Sequence, residues 1–146
     1  MFLGHYGVAF AAKKVAPGIS LPLLFIAAQF ADILWPLFLV SHLEQYAIVP
    51  GTSVVSPYDF IYYPWSHSLL MDIVWGLLFG FLYYTATKNR RAAWILGLVV
   101  LSHWVLDLIV HVPDLPLTPF GSIKLGLGGW NSVPFTIAAE CLFFFG

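Results

Sequence analysis

His103, Asp107 and His111 recur every fourth residue in the run Ser102-His103-Trp104-Val105-Leu106-Asp107-Leu108-Ile109-Val110-His111. On a helix this spacing stacks the three side chains on one face, a turn apart. An imidazole and a carboxylate on successive turns make a donor pair for zinc, manganese or iron, and the lack of thiols points away from a purely structural zinc site. Without a metal, the same pair bonds helices together or passes protons. In a bilayer each such group costs roughly 2.5–3.5 kcal/mol or more unless it is paired or bound, so the column marks a candidate functional site.

Other ionisable residues interrupt apolar runs in the same way. His67, in Trp65-Ser66-His67-Ser68-Leu69-Leu70, is a third ligand or an acid–base group, or else an interfacial histidine reaching for water; Ser66 or Ser68 is placed to cap the helix that follows. Asp72 lies five residues on, off the His67 face. Asp32, in Ala31-Asp32-Ile33-Leu34-Trp35, has no basic neighbour, and neither has Glu140. Each must bind a cation, share a proton or pair with histidine. His5 sits in Gly4-His5-Tyr6-Gly7, near the terminus. His42 and Glu44 are expected to be solvated in a loop, and Cys141 to be a small buried apolar residue.

The elements that position these residues follow from composition. The 146 residues are 60% hydrophobic and only 9% charged, with mean hydropathy +0.88. Soluble domains carry about a quarter charged residues, so the chain reads as a single integral membrane domain over residues 1–146. The expected fold is all-α: a polytopic membrane bundle of about four transmembrane helices plus a short N-terminal helix. The spans are 20–41, 67–87, 92–111 and a short 132–146, which either crosses only in part or continues past Gly146; residues 2–12 form the short helix. Asn131 or Ser132, with Pro134 just inside, starts the last segment. A net charge of −1 argues against nucleic acid. One cysteine rules out a disulfide framework within the chain. No basic residue precedes Lys13, unlike a signal peptide. Gly76 and Gly80 read as a close-packing pair without chemistry, and residues 121–129 as a flexible outer turn around Lys124.

Lys13-Lys14 and Lys88, Arg90 and Arg91 fit one topology, all on the cytoplasmic side, with 42–66 and 112–131 outside. The aromatic stretch 57–65 then forms an outer interfacial belt. At 1.5 Å per residue, Asp32, Asp72 and Asp107 fall roughly 20–23 Å from the cytoplasmic edge. His103 and Glu140 fall at roughly 15–18 Å, His5 at roughly 13 Å, and His67 and His111 at roughly 28–30 Å, near the outer surface. Acidic groups from four spans thus converge on one slab.

Taken in order, Gly4-His5, Asp32, Trp65-Ser66-His67-Ser68-Leu69-Leu70 and Ser102-His103-Trp104-Val105-Leu106-Asp107 resemble the motifs of the bacterial YdjM-like family, described as LexA-binding, inner-membrane-associated, metal-dependent hydrolases. That family carries an N-terminal Gly-His, an early acidic motif, Thr-His-Ser-Leu-Leu, and Ser-His-x-x-x-Asp before a loop with proline and glycine. The chain departs from it where Asp32-Ile33-Leu34 keeps one acid of two, where Tyr62, Tyr63 and Pro64 stand in place of a further histidine, and where Ser66 replaces threonine. The resemblance implies a polytopic inner-membrane protein with a divalent metal and a hydrolytic role.

The expectation is therefore a membrane-embedded hydrolase of a lipid or lipid-linked ester or phosphoester near the outer leaflet. Zinc or manganese would be held by His103, Asp107, His67 and Asp32, with His5 or Glu140 completing the sphere, and Glu140 or Asp72 as general base. Membrane lipid is the expected partner, with a homo-oligomer left open. The rival functions are an ion- or proton-coupled transporter subunit and a non-catalytic membrane scaffold whose polar residues only hold helices together.

Overall fold

The computed structural model describes all residues 1–146 and is mostly helical. Seven α-helices run in the order α1 (Leu3–Val15), α2 (Leu21–Ala28), α3 (Phe30–Val40), α4 (Pro64–His67), α5 (Leu69–Thr87), α6 (Arg90–Val110) and α7 (Val133–Phe145). Two of them, α5 and α6, are long and apolar enough to cross a membrane; α2 and α3 add a third span if taken as one helix bent by 56°. Four spans are not seen: α7 has only 13 residues.

Local chemistry explains the boundaries. Ser68 is extended and accepts the Met71 N–H, opening α5. Lys88 takes the left-handed conformation at φ 58° that ends α5, and Asn89 accepts the Ala92 N–H to start α6. Ser132 caps α7 with Pro134 in its first turn, as its sequence predicts. The 20–41 run breaks at Gln29, where no side chain caps either helix, and Pro36 inside α3 has no N–H to offer the Asp32 carbonyl.

Helix α6 is the axis of the fold: half of its apolar window is buried, against 17% for α5. Small residues let the backbones approach. A Cβ at Gly76 would stand 2.7 Å from the Gly97 carbonyl oxygen, and one at Gly80 2.7 Å from that of Ala93, so the expected glycine pair is a packing contact. Ala9, Ala12, Leu24, Ala27, Ala28, Leu96, Val99 and Val100 fill the core between α1, α2 and α6. Helix α1 is no surface helix: it wedges against α7, with a Gly7 Cβ position only 1.7 Å from the Phe143 carbonyl oxygen.

The basic clusters meet at one end, where Arg91 donates to the Val15 carbonyl at 3.3 Å. At the other end the two connecting segments fold into a cover rather than open loops. Strand β1 (Gln45–Ile48) pairs antiparallel with β2 (Tyr58–Tyr62), and β3 (Leu115–Pro116) with β4 (Lys124–Leu125). The fold is thus not purely helical. The Val55 N–H donates to the Trp130 carbonyl, the Leu70 N–H to that of Leu117, and the Trp104 indole to that of Pro116. The stretch 121–129, expected to be flexible, is pinned by close backbone approach: a Gly126 Cβ would stand 2.0 Å from the Val112 carbonyl oxygen. Cys141, expected to be buried, is exposed on α7.

Candidate metal centre

Under this cover, four elements bring the predicted donors together. Helix α6 supplies His103 and Asp107, α1 supplies His5, α3 supplies Asp32 from its first turn, and α4 ends at His67. The break at Gln29 serves the site twice. It leaves the Ala28 carbonyl at the end of α2 free to accept from His103 Nδ1 at 2.8 Å, and it swings Asp32 toward His67 and His103.

Donor atoms within 4.8 Å of one another form two groups, Asp32 with His67 and His103, and His5 with His103 and Asp107; His103 belongs to both. His67 Nε2 is 3.3 Å from Asp32 Oδ1, and His103 Nε2 is 3.7 Å from the same oxygen and 3.3 Å from Asp107 Oδ2. His5 Nε2 is 3.2 Å from Asp107 Oδ1, which the Met1 ammonium also contacts. Ligand atoms bound to one ion at about 2.1 Å, with angles between octahedral and tetrahedral, stand about 3.0–3.4 Å apart. Three of the four separations are of that size, and the fourth, His103 to Asp32, is longer at 3.7 Å. Moreover His103 Nε2 and both nitrogens of His5 are buried with no aligned hydrogen bond. A lone pair left unpartnered beside carboxylates calls for a cation, and these residues fit a divalent ion.

Three histidines share one arrangement. His103 Nδ1–H is spoken for by the Ala28 carbonyl. His67 Nδ1–H donates to Ser66 Oγ at 2.7 Å, and the Ser66 hydroxyl donates to Glu44 Oε2 at 2.7 Å. His111 Nδ1–H donates to Asp114 Oδ1 at 2.9 Å. In each ring the far nitrogen Nε2 is thereby left facing Asp32 or Asp107, with His111 at 3.7 Å from Asp107 Oδ2. Outer acceptors of this kind fix the tautomer and aim of metal-binding histidines.

The sequence reading needs correction at several of these positions. Glu44 is not solvated but 2% exposed, because it takes both the backbone N–H and the hydroxyl of Ser66. Burial raises its pKa above the ordinary 4.5, against the pull of those hydrogen bonds. His67 and His111 are buried rather than open to water, because the hairpin and the Trp130 turn lie over them. Tyr63, stacked on His111, donates to Asp114, and burial raises its phenol pKa well above 10, so it stays a donor. His42 is exposed as expected.

Two predicted residues stand apart from both donor groups. Asp72 is fully buried on α5; its Oδ2 accepts the Trp104 N–H at 3.1 Å, and its Oδ1 has no partner. Glu140 caps α1 instead: its two oxygens accept the Phe2 and Gly4 N–H groups at 2.8 and 2.7 Å. Of the outer partners, only the Ser66-His67 adjacency and the three-residue step from His111 to Asp114 were visible as sequence signals. Compared with known protein families, with characterised proteins and with solved structures, the chain matches none.

Proposed function

We propose that this chain is a membrane-embedded, metal-dependent hydrolase acting on a lipid or lipid-linked ester or phosphoester near the outer leaflet. The observation that carries the reading is the triple arrangement of His67, His103 and His111, each tied at Nδ1 and turned at Nε2 toward Asp32 or Asp107. Simple helix glue has no need to fix three tautomers toward buried carboxylates. The donors are Asp32, His67, His103, Asp107 and His5, and their nitrogen and oxygen character suits zinc or manganese. A bound divalent ion lowers the pKa of water toward neutrality and polarises an ester or phosphoryl oxygen.

Asp72, with one oxygen unpartnered, is the carboxylate free to accept a proton; Glu140 is occupied by α1. The aromatic cover and the apolar flanks of α5 and α6 keep bulk water from the centre and favour a substrate that partitions into lipid. The ordered motifs support membership of the YdjM-like family and residence in a bacterial inner membrane.

Metal content by mass spectrometry on detergent-purified protein is the test, comparing wild type with His103→Ala and Asp107→Asn. Bound zinc or manganese that falls in both variants supports the reading and sets up a screen of lipid esters and phosphoesters. Metal-free, well-folded wild type would sink it.

A second reading has its own observation. Glu44, Ser66, His67, Asp32, His103, Asp107, His111 and Asp114 form a continuous file of polar contacts, as a proton relay in a transporter subunit would require. Asp32→Asn separates the two: loss of proton flux in liposomes with metal content unchanged favours the relay.

A further inference from the structure

We infer that the groove between α5 and α6 seats one anionic glycerophospholipid, its acyl chain lying along the helices and its headgroup phosphate at Arg90. The inference rests on α5 and α6 spanning a membrane and is independent of the metal reading above, whose donors line no part of the groove.

The groove follows from the small residues that bring the two helices together. Gly76 and Gly80 of α5 and Ala93 and Gly97 of α6 raise little or no side chain where the backbones meet. Leu77 and Phe81 on one side, and Trp94 and Leu98 on the other, are 57–61% exposed. The trough between them has a volume of about 560 Å³, within the range of roughly 300–1,000 Å³ usual for ligand sites.

Its length narrows the choice of occupant. The groove runs from Arg90 to Leu101 on α6 and from Tyr84 back to Ile73 on α5, which at 1.5 Å per residue is roughly 16 Å. The hydrocarbon of one leaflet is about 15 Å deep, half of the bilayer core. A trough of that depth fits an acyl chain that ends at the midplane. A helix from a partner protein would run on across the membrane.

Charge narrows it further, because only one end of the groove is cationic. Arg90 opens that end and makes no ion pair within the chain. The Lys88 ammonium stands 5.7 Å from the centroid of the Tyr84 ring, which lines the same end. None of the chain's seven acidic residues lines the groove. The basic clusters put this end on the cytoplasmic side, where pockets of this kind between helices hold anionic headgroups. Tyr84 and Trp94 stand near it, as aromatics at headgroup level do. A second copy of the chain answers the charge poorly. Two-fold pairing across this face, with both copies inserted the same way, sets Arg90 against Arg90 with no acid between them.

Native mass spectrometry on the full-length, delipidated protein in detergent is the test. The probes are dioleoyl phosphatidylglycerol and dioleoyl phosphatidylcholine, which share their acyl chains and differ in headgroup charge. We expect one phosphatidylglycerol per chain, retained in preference to phosphatidylcholine. Arg90→Gln should cut that preference about five-fold, the worth of one cation beside an anionic headgroup. Lys14→Gln, at an exposed cation outside the groove, should leave it unchanged. Leu98→Trp should weaken both lipids alike by filling the trough. Equal retention of the two lipids by the wild type, or an equal loss in Lys14→Gln and Arg90→Gln, would overturn the inference. So would a lipid-free dimer, which would give the groove to a second copy. Protein held in cell membranes that keeps neither lipid would overturn this inference alone, whereas protein recovered from the soluble fraction without detergent would remove the membrane reading with it. Arg90→Gln, at an exposed position, decides the matter even if Leu98→Trp does not fold.

Discussion

Toward its N-terminal end α6 meets α5 backbone to backbone, at Gly97 against Gly76 and Ala93 against Gly80; toward its C-terminal end it meets α1, α3 and α4 through His103 and Asp107. One helix thus uses two unlike means of holding its neighbours. The glycine half needs nothing but shape, and it tolerates no added atom. The histidine half buries groups that are unstable where they lie, and it stays together only if something satisfies them. Stability and chemistry are thereby separated along a single element.

That separation can be broken most directly at the residue the donor groups share. His103→Ala should abolish stoichiometric metal while leaving the helical circular dichroism in detergent near wild type; retained metal would show that the histidine half does not depend on it. Gly76→Leu should do the reverse. Its side chain meets the Gly97 carbonyl, and overpacking of this kind costs about 1–3 kcal/mol, read as a lower unfolding midpoint with the folded fraction still binding metal.

Finer variants sharpen the contrast. Ser66→Ala removes the acceptor for His67 Nδ1 and should weaken metal binding about 10–100-fold by competition with a chelator, with a lower midpoint as well because buried Glu44 loses its hydroxyl donor. Glu44→Gln probes pH. Burial holds the Glu44 proton to higher pH in the folded chain than in the unfolded one, so its stabilising contribution is present below pH 4.5 and lost as the pH rises through its folded value. The variant should flatten the pH dependence of stability over that window; an unchanged profile would show that Glu44 is not held protonated. Smallest of all, Leu77→Ala, 57% exposed on the outer face of α5, should shift stability by no more than about 0.5 kcal/mol in detergent.

Much of the histidine half was legible because helical spacing and depth are arithmetic. The four-residue steps on α6 and the placement of Asp32 and Asp107 in one slab follow from counting, and the structure brings both to His103. The bend at Gln29 was not legible, since the run around it is apolar but for Gln29 and Asp32 and no glycine marks the break. Glu44 was misread for a physical reason: a glutamate beyond a span reads as solvated until a serine some twenty residues away supplies the donors that let it be buried. Glu140 was misjudged because an acid in an apolar helix invites a catalytic role, whereas the first turn of α1 had bare N–H groups to satisfy. That His67 and His111 are shielded from water was not legible from helical spacing alone. The cover that buries them is built from loops whose pairing depends on contacts distant in sequence.

The bend at Gln29 also decides the direction of approach. The side chains of His5, His103, Asp107, His67 and His111 are 0–6% exposed, whereas that of Asp32 is 39% exposed. Helix α3, which carries it, buries only Ala31. Asp32 is therefore the one side chain of the centre that reaches the surface of the protein. An ion arriving sideways along α3 would meet that carboxylate before any histidine, so bulk added beside it, at Ile33 or Leu34, would slow the ion's entry and exit without altering the donors behind.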